Sequence, residues 1–229
     1  MKNCIFVLCA FVLSLTAGAQ NQNGYMKYSL SLEGENAEMM AAAMPTNMEL
    51  FFGHNKSLLR MSGGMASMLF GDILSDNAKP DTAYMIMHPR QLVYLMPADK
   101  KTETPAKTDL TVTTEKTGKT EKISGYNAEE YKITTTSNNK TVTHYLWASK
   151  DIKMPKPEAA ANGSQFGAMF GYKIEGFPVR YQIPVNEGGL NITTTVTLIE
   201  YNQKEQPKSL FEVPAKYKRE IFSPEKLMR

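Results

Sequence analysis

Met26, Tyr28, Leu30 and Leu32 take every second position of a run in which Lys27, Ser29 and Ser31 fall between them. This period-2 alternation is that of a strand with one face buried. Strands follow over 47–52 and 56–62, joined at Gly53, His54 and Asn55, and a second hairpin over 83–88 and 91–96 turns about His88, Pro89 and Arg90. Further strands are predicted over 110–115, 128–136, 141–148, 179–184 and 190–202. The connections at 137–140 and 186–189 are rich in Asn and Gly, which tolerate positive φ. About ten strands in sequence-adjacent hairpins predict a largely antiparallel sheet.

Three stretches break the alternation. Residues 36–44 are rich in Ala and Met, Gly64 to Asp76 sets Met65, Met68, Leu69 and Ile73 at helical spacing, and 164–171 groups Phe166, Met169 and Phe170. Each is read as a short helix, which makes the class α+β. Residues 98–122 are dominated by Lys, Thr and Glu with few apolar anchors, so they read as a flexible, solvated connector around one exposed strand. No repeat or shift in composition divides the chain after residue 19, and 20–229 read as one domain.

The N-terminus adds a compartment. Lys2 is followed by an apolar stretch from Ile5 to Leu15 and then by Ala17, Gly18 and Ala19, the order of a secretory signal peptide cut after Ala19. Both cysteines, Cys4 and Cys9, fall inside it, so the mature chain is expected to carry no thiol and to reside in the periplasm or outside the cell. No second apolar run is long enough to span a bilayer. A globular composition with 42% apolar residues argues against disorder. The net charge is +3, and 26 Lys and Arg are dispersed among 23 Asp and Glu, so no basic stripe suits a nucleic-acid backbone.

Catalytic chemistry is not evident. His54, His88 and His144 form no metal-ligand spacing, and two of them fall in turns. No nucleophile elbow, P-loop or dinucleotide fingerprint occurs. Glu129 and Glu130 adjoin on a strand and point to opposite faces, so they do not make an acid/base pair. A non-enzymatic protein without a cofactor is the expectation.

Methionine is the unusual residue. Of 15 in the chain, Met39, Met40, Met44, Met48, Met61, Met65 and Met68 cluster beside the first two predicted helices. Three readings stand. Thioethers are soft ligands for Cu(I), and Met65 and Met68 make one Met-x-x-Met pair. Flexible, polarizable side chains also form adaptable surfaces for hydrophobic ligands, and they equally fill an irregular core.

Two stretches carry a family resemblance. The run from Ile123 through Gly125, Tyr126, Ala128 and Tyr131, with Tyr145, Trp147 and the residues to Ile152 after it, resembles the G-Y-x-A-x-x-Y … W-x-x-x-x core of an exported bacterial family known as domain of unknown function 4412. Phe211, Val213, Pro214 and Tyr217 are similar to the F-x-[VI]-P-x-x-[YF] closure shared by that family and relatives of the LolA and LolB lipoprotein carriers. Together these cover roughly residues 120–220. The rings and prolines suit framework roles, with Pro214 ending the last extended segment before an exposed tail. The resemblance implies a curved, incomplete β-barrel with short helices on its concave face. Such a fold would hold a lipid, a lipoprotein acyl chain or another hydrophobic ligand beneath Met40, Met44, Met65, Met68, Leu69, Phe166, Met169 and Phe170. The alternative is a cell-envelope structural or interaction protein that meets a partner protein through exposed strand edges.

Overall fold

In the computed structural model, the residues described are 23–35, 37–65, 71–76, 78–79, 82–97, 111–137, 140–153, 172–187 and 190–223. They form β1 (Gly24–Gly34), α1 (Ala37–Ala41), β2 (Asn47–Gly53), β3 (Lys56–Ser62), β4 (Asp72–Asp76), β5 (Thr82–Met87), β6 (Leu92–Pro97), β7 (Thr111–Ile123), β8 (Tyr126–Ser137), β9 (Lys140–Ser149), β10 (Phe177–Glu187), β11 (Leu190–Asn202) and β12 (Lys218–Ile221). All twelve strands belong to one open, curved sheet in the order β12-β6-β5-β4-β3-β2-β1-β11-β10-β9-β8-β7. Every pairing is antiparallel except β12 with β6. No helix among the described residues is long and apolar enough to cross a membrane.

The sheet is two meanders, β1–β6 and β7–β11, sewn together by the long antiparallel pair of β1 and β11. Tight turns set the hairpin registers. His54 and Asn55 both take positive φ between β2 and β3, as Ser124 and Gly125 do between β7 and β8, and this turn geometry matches the twist of the strands it joins.

The period-2 pattern becomes one continuous apolar face. Tyr131 lies opposite Leu146, Leu146 opposite Tyr181, Tyr181 opposite Val196 and Val196 opposite Leu30. Across the other meander the same face runs through Met26, Leu50, Leu59, Ile73, Met85 and Tyr94. Met26, Tyr28, Leu146, Val196 and Leu198 on this face are fully buried.

The opposite face is apolar only over β2–β6, where Phe51, Leu58, Leu74, Tyr84 and Leu95 pair in turn. It is covered by the chain leaving β11. A 3-10 turn at Lys208–Phe211 inserts Phe211, 1% exposed, among Leu58, Leu74, Ile86 and Val93, and Tyr217 and Val213 pack alongside. This strap is also bonded by polar groups: the Lys56 ammonium donates to the Phe211 carbonyl at 3.1 Å, and the His54 ring lies 3.2 Å from the Gln206 carbonyl. The strap then delivers β12 to the free edge of β6.

Three expectations change. The helix predicted over Gly64 to Asp76 is a strand from Asp72 onward, in which Leu74 is buried beneath the strap and Ile73 points to the other face; residues 66–70 lie outside the described residues. The tail after Pro214 is exposed at Lys218, Arg219 and Ile221 as expected but is paired as β12, and Phe222 beyond it packs edge-on against Tyr94 at 6.0 Å. Of the connector at 98–122, residues 111–122 are part of β7, paired with β8 along their length, while 98–110 lie outside the described residues. β7 escapes apolar patterning because it is an edge strand exposed on nearly every residue. The helix expected over 36–44 is α1, and the one expected over 164–171 lies outside the described residues.

Truncating Phe211 to Ala empties the pocket that docks the strap. The expected loss is about 3–5 kcal/mol of unfolding free energy by denaturant titration.

Candidate functional site

The candidate site begins where β1 outruns β2. Pairing between them ends at Ser29 and Asn47, so Leu30 and Leu32 keep their apolar side chains on the core face with no β2 residue beside them. α1 fills that place. Its Ala-Met sequence favours a helix, Glu38 sits in the favourable first turn, and the amides of Ala43 and Met44 both return to the Met40 carbonyl at 3.0 Å to close the end.

Residues 44–46 are then clamped between neighbours. The Leu30 amide donates to the Thr46 carbonyl at 2.8 Å, the Thr46 amide to the Ser62 carbonyl at 2.9 Å, and the Met65 amide to the Ala42 carbonyl at 3.2 Å. The clamp needs glycine at Gly64, which has φ +65° and where a Cβ would lie 2.0 Å from the Met44 carbonyl oxygen.

Beneath this cover is a cavity of about 270 Å³. Leu30 and Leu32 of β1, Thr194 of β11, and Ala41, Met44 and Pro45 of the cover line it, with Ser31 and Thr46 completing the wall. No charged side chain is among them. The arrangement can desolvate an apolar chain and offers an ion no partner.

The sequence candidates fall unevenly around it. Met44 lines the cavity and Met40 is half-buried on α1, whereas Met65 is 70% exposed and is not part of the lining. Met68, Leu69, Phe166, Met169 and Phe170 lie outside the described residues. The methionines divide by environment: Met48 is 1% exposed and fills the core, while Met44 faces the cavity. Among the described residues, no group of three or more His, Cys, Asp or Glu could hold a metal ion.

Two polar constellations were invisible to spacing. On the cavity face, the His144 Nε2 lies 2.9 Å from the Tyr172 hydroxyl, which lies 3.0 Å from the Tyr181 hydroxyl. Burial lowers the affinity of His144 for a proton and raises the Tyr181 phenol far above its ordinary range, so both are neutral at pH 7. Tyr172 is held there by the loop it belongs to. The Glu175 amide donates to the Tyr131 hydroxyl at 3.3 Å, and the Glu175 carboxylate meets Lys150 at 2.6 Å and Lys116 at 2.9 Å. These two ammonium groups bring Glu175 down to about 2, on a surface where such pairs add little stability.

On the opposite face, Arg60 donates Nε and Nη2 to Asp72 at 3.0 and 2.6 Å, and the His88 Nε2 lies 3.2 Å from the same carboxylate. A carboxylate only accepts, so Nε2 donates to it, and Nδ1 lies 3.1 Å from the Tyr217 hydroxyl. This chain pins the strap through Tyr217. Arg180, the other strand arginine, bonds both Glu121 oxygens at 2.9 and 2.8 Å and lies over the Trp147 ring.

Two outcomes are expected from this geometry. Gly64→Ala forces a side chain onto the Met44 carbonyl in a left-handed conformation, and should cost about 1–3 kcal/mol and lower the melting temperature. His144 is neutral in the folded chain and takes a proton near its ordinary 6.5 when unfolded, so stability is full above that pH and falls as pH drops below it. In His144→Phe this part of the pH profile, followed by thermal unfolding, should flatten.

Comparison with known proteins adds a family. Residues 36–217 match the family model described as "Domain of unknown function (DUF4412)". No curated protein matches. Among solved structures, the chain is similar to a LolA superfamily protein, NE2245 from Nitrosomonas europaea, at 8% identity and a TM-score of 0.30, covering 85% of this chain and 91% of that one. It is also similar to MucB at 11% identity and a TM-score of 0.27, covering 89% of this chain and 61% of MucB, so it spans about three fifths of that protein. Since the family model takes in α1, β2 to β11 and the strap as far as Tyr217, the chain belongs to the DUF4412 family.

Proposed function

We propose that this is a non-enzymatic binding protein of the bacterial envelope that holds a lipid or another hydrophobic ligand beneath α1. The observation that carries the reading is the uncharged cavity of about 270 Å³ between the end of β1, Thr194 and the Ala41–Thr46 cover. A space of this size enclosed by Leu30, Leu32 and Met44 accepts a segment of acyl chain, and the flexible thioether of Met44 lets the wall follow chains of different shape. The signal-like N-terminus supports an exported location. Met40 and Met44 are the residues of the described chain assigned to the ligand, while Met68, Leu69, Phe166, Met169 and Phe170 remain assigned on their sequence alone.

A protein of the envelope that binds only other proteins is the competing reading, and the exposed 13-residue edge strand β7 favours it. The bulge between Lys116 and Thr120, however, interrupts that edge at its middle, which opposes strand addition.

Native mass spectrometry of protein purified from its own envelope separates the two. A mass excess that solvent extraction removes and that fragments as lipid is the expected result. Met44→Trp, which fills the cavity, should abolish the excess. The bare polypeptide mass before extraction, with envelope proteins captured by cross-linking at β7, would replace this reading by the interaction protein.

A further inference from the structure

The two ends of the cavity differ. Leu30, Leu32 and Thr194 line it, and one step further along the same face Tyr28 on β1, Met48 on β2 and Val196 on β11 are fully buried. These three side chains make a floor at which the lining stops. In the other direction β1 runs on past Leu32 into Glu33, Gly34 and Glu35, all exposed, and Glu38 is exposed on α1.

Size and charge then limit what can enter. An apolar cavity of about 150 Å³ takes benzene, with six carbons, so one of about 270 Å³ takes about ten carbons of a single saturated chain. Two chains side by side, or the whole of a long one, exceed it. No Lys or Arg occurs over 28–55, 61–78 or 190–203, the stretches that enclose the cavity, whereas Glu33, Glu35 and Glu38 follow directly on Leu32. An anion held beyond Leu32 would meet their field with no counter-charge from these stretches.

We propose that the site is blind-ended and takes the last stretch, about ten carbons, of one unbranched alkyl or acyl chain, with the methyl end on the Tyr28–Met48–Val196 floor and the head left at the rim. There an uncharged or cationic head is accepted, and a carboxylate or phosphate is disfavoured. This rests on the binding-protein reading and names the class of its ligand by chain length and by the sign of the head. Met44, the longest side chain of the lining, sets the length.

The test is a calorimetric titration of delipidated protein with 1-monoacylglycerols of six to sixteen carbons, each below its micellar concentration. The association constant should rise about three- to fourfold with each added methylene up to about ten carbons and then level off. This series needs no variant to fold. A monodecanoylglycerol carrying a hydroxyl on its terminal carbon would press that group on the apolar floor without a partner, and should bind about tenfold or more weakly than the plain compound. Decanoate should bind more weakly than monodecanoylglycerol at low salt, and the gap should narrow as salt screens the glutamates. Met44→Ala, which removes three heavy atoms from the wall, should move the break about three carbons longer. Affinity that climbs with an unchanged slope to sixteen carbons, or a terminal hydroxyl that costs nothing, would overturn the blind-ended site and leave the cavity reading standing. Decanoate that binds as tightly as the glyceride would overturn the choice of head. Absence of binding at every length would overturn the binding-protein reading itself.

Discussion

The antiparallel pairing of β1 with β11 is the constraint on which everything else hangs. It joins residues about 170 apart in the chain and makes one sheet of two meanders, each of which closes only with itself. Because the partners face each other from Tyr25–Asn202 to Gly34–Ile192, the apolar face of one meander is fixed in line with that of the other. A slip by one residue would turn Met26, Tyr28 and Leu30 to the wrong side together. The candidate site is a by-product of the same pair: β11 accompanies β1 to its end, β2 stops short, and the space left is roofed by α1.

An open sheet this wide has two faces and two edges to protect, and the chain treats them unequally. Over β2–β6 the outer face is apolar and needs the strap. Over β8–β10 it is polar enough to meet water, with Lys132, Gln182 and the Arg180–Glu121 pair. One edge is closed by β12, and the other is blunted by charge and by the β7 bulge at Gly118.

Strands with one buried face were legible in the sequence because alternation reports burial directly, as at Met26 to Leu32. β4 was not, since its adjacent apolar residues Ile73 and Leu74 break the alternation of so short a strand, and Ile73 then falls into step with Met65, Met68 and Leu69 at helical spacing. β12 was hidden by its composition: Lys218, Arg219 and Glu220 look like a solvated tail until a partner edge exists for them. Of the candidate site, Met40 and Met44 were singled out by their helical neighbourhood, whereas Leu30, Leu32 and Thr194, which line the cavity, looked like ordinary strand positions. The His144–Tyr172–Tyr181 cluster joins three elements, and no local spacing foretells it.

The strap also guards against association. The edge of β6 receives its partner from residues 218–221, and the apolar back of β2–β6 is covered by Phe211 of the same strap. Without the strap the first meander would present a greasy outer surface and an unpaired border, the two features that drive intermolecular association. One short stretch, from Lys208 to Phe222, thus shields within the molecule both of the surfaces through which β2–β6 would otherwise recruit a second copy.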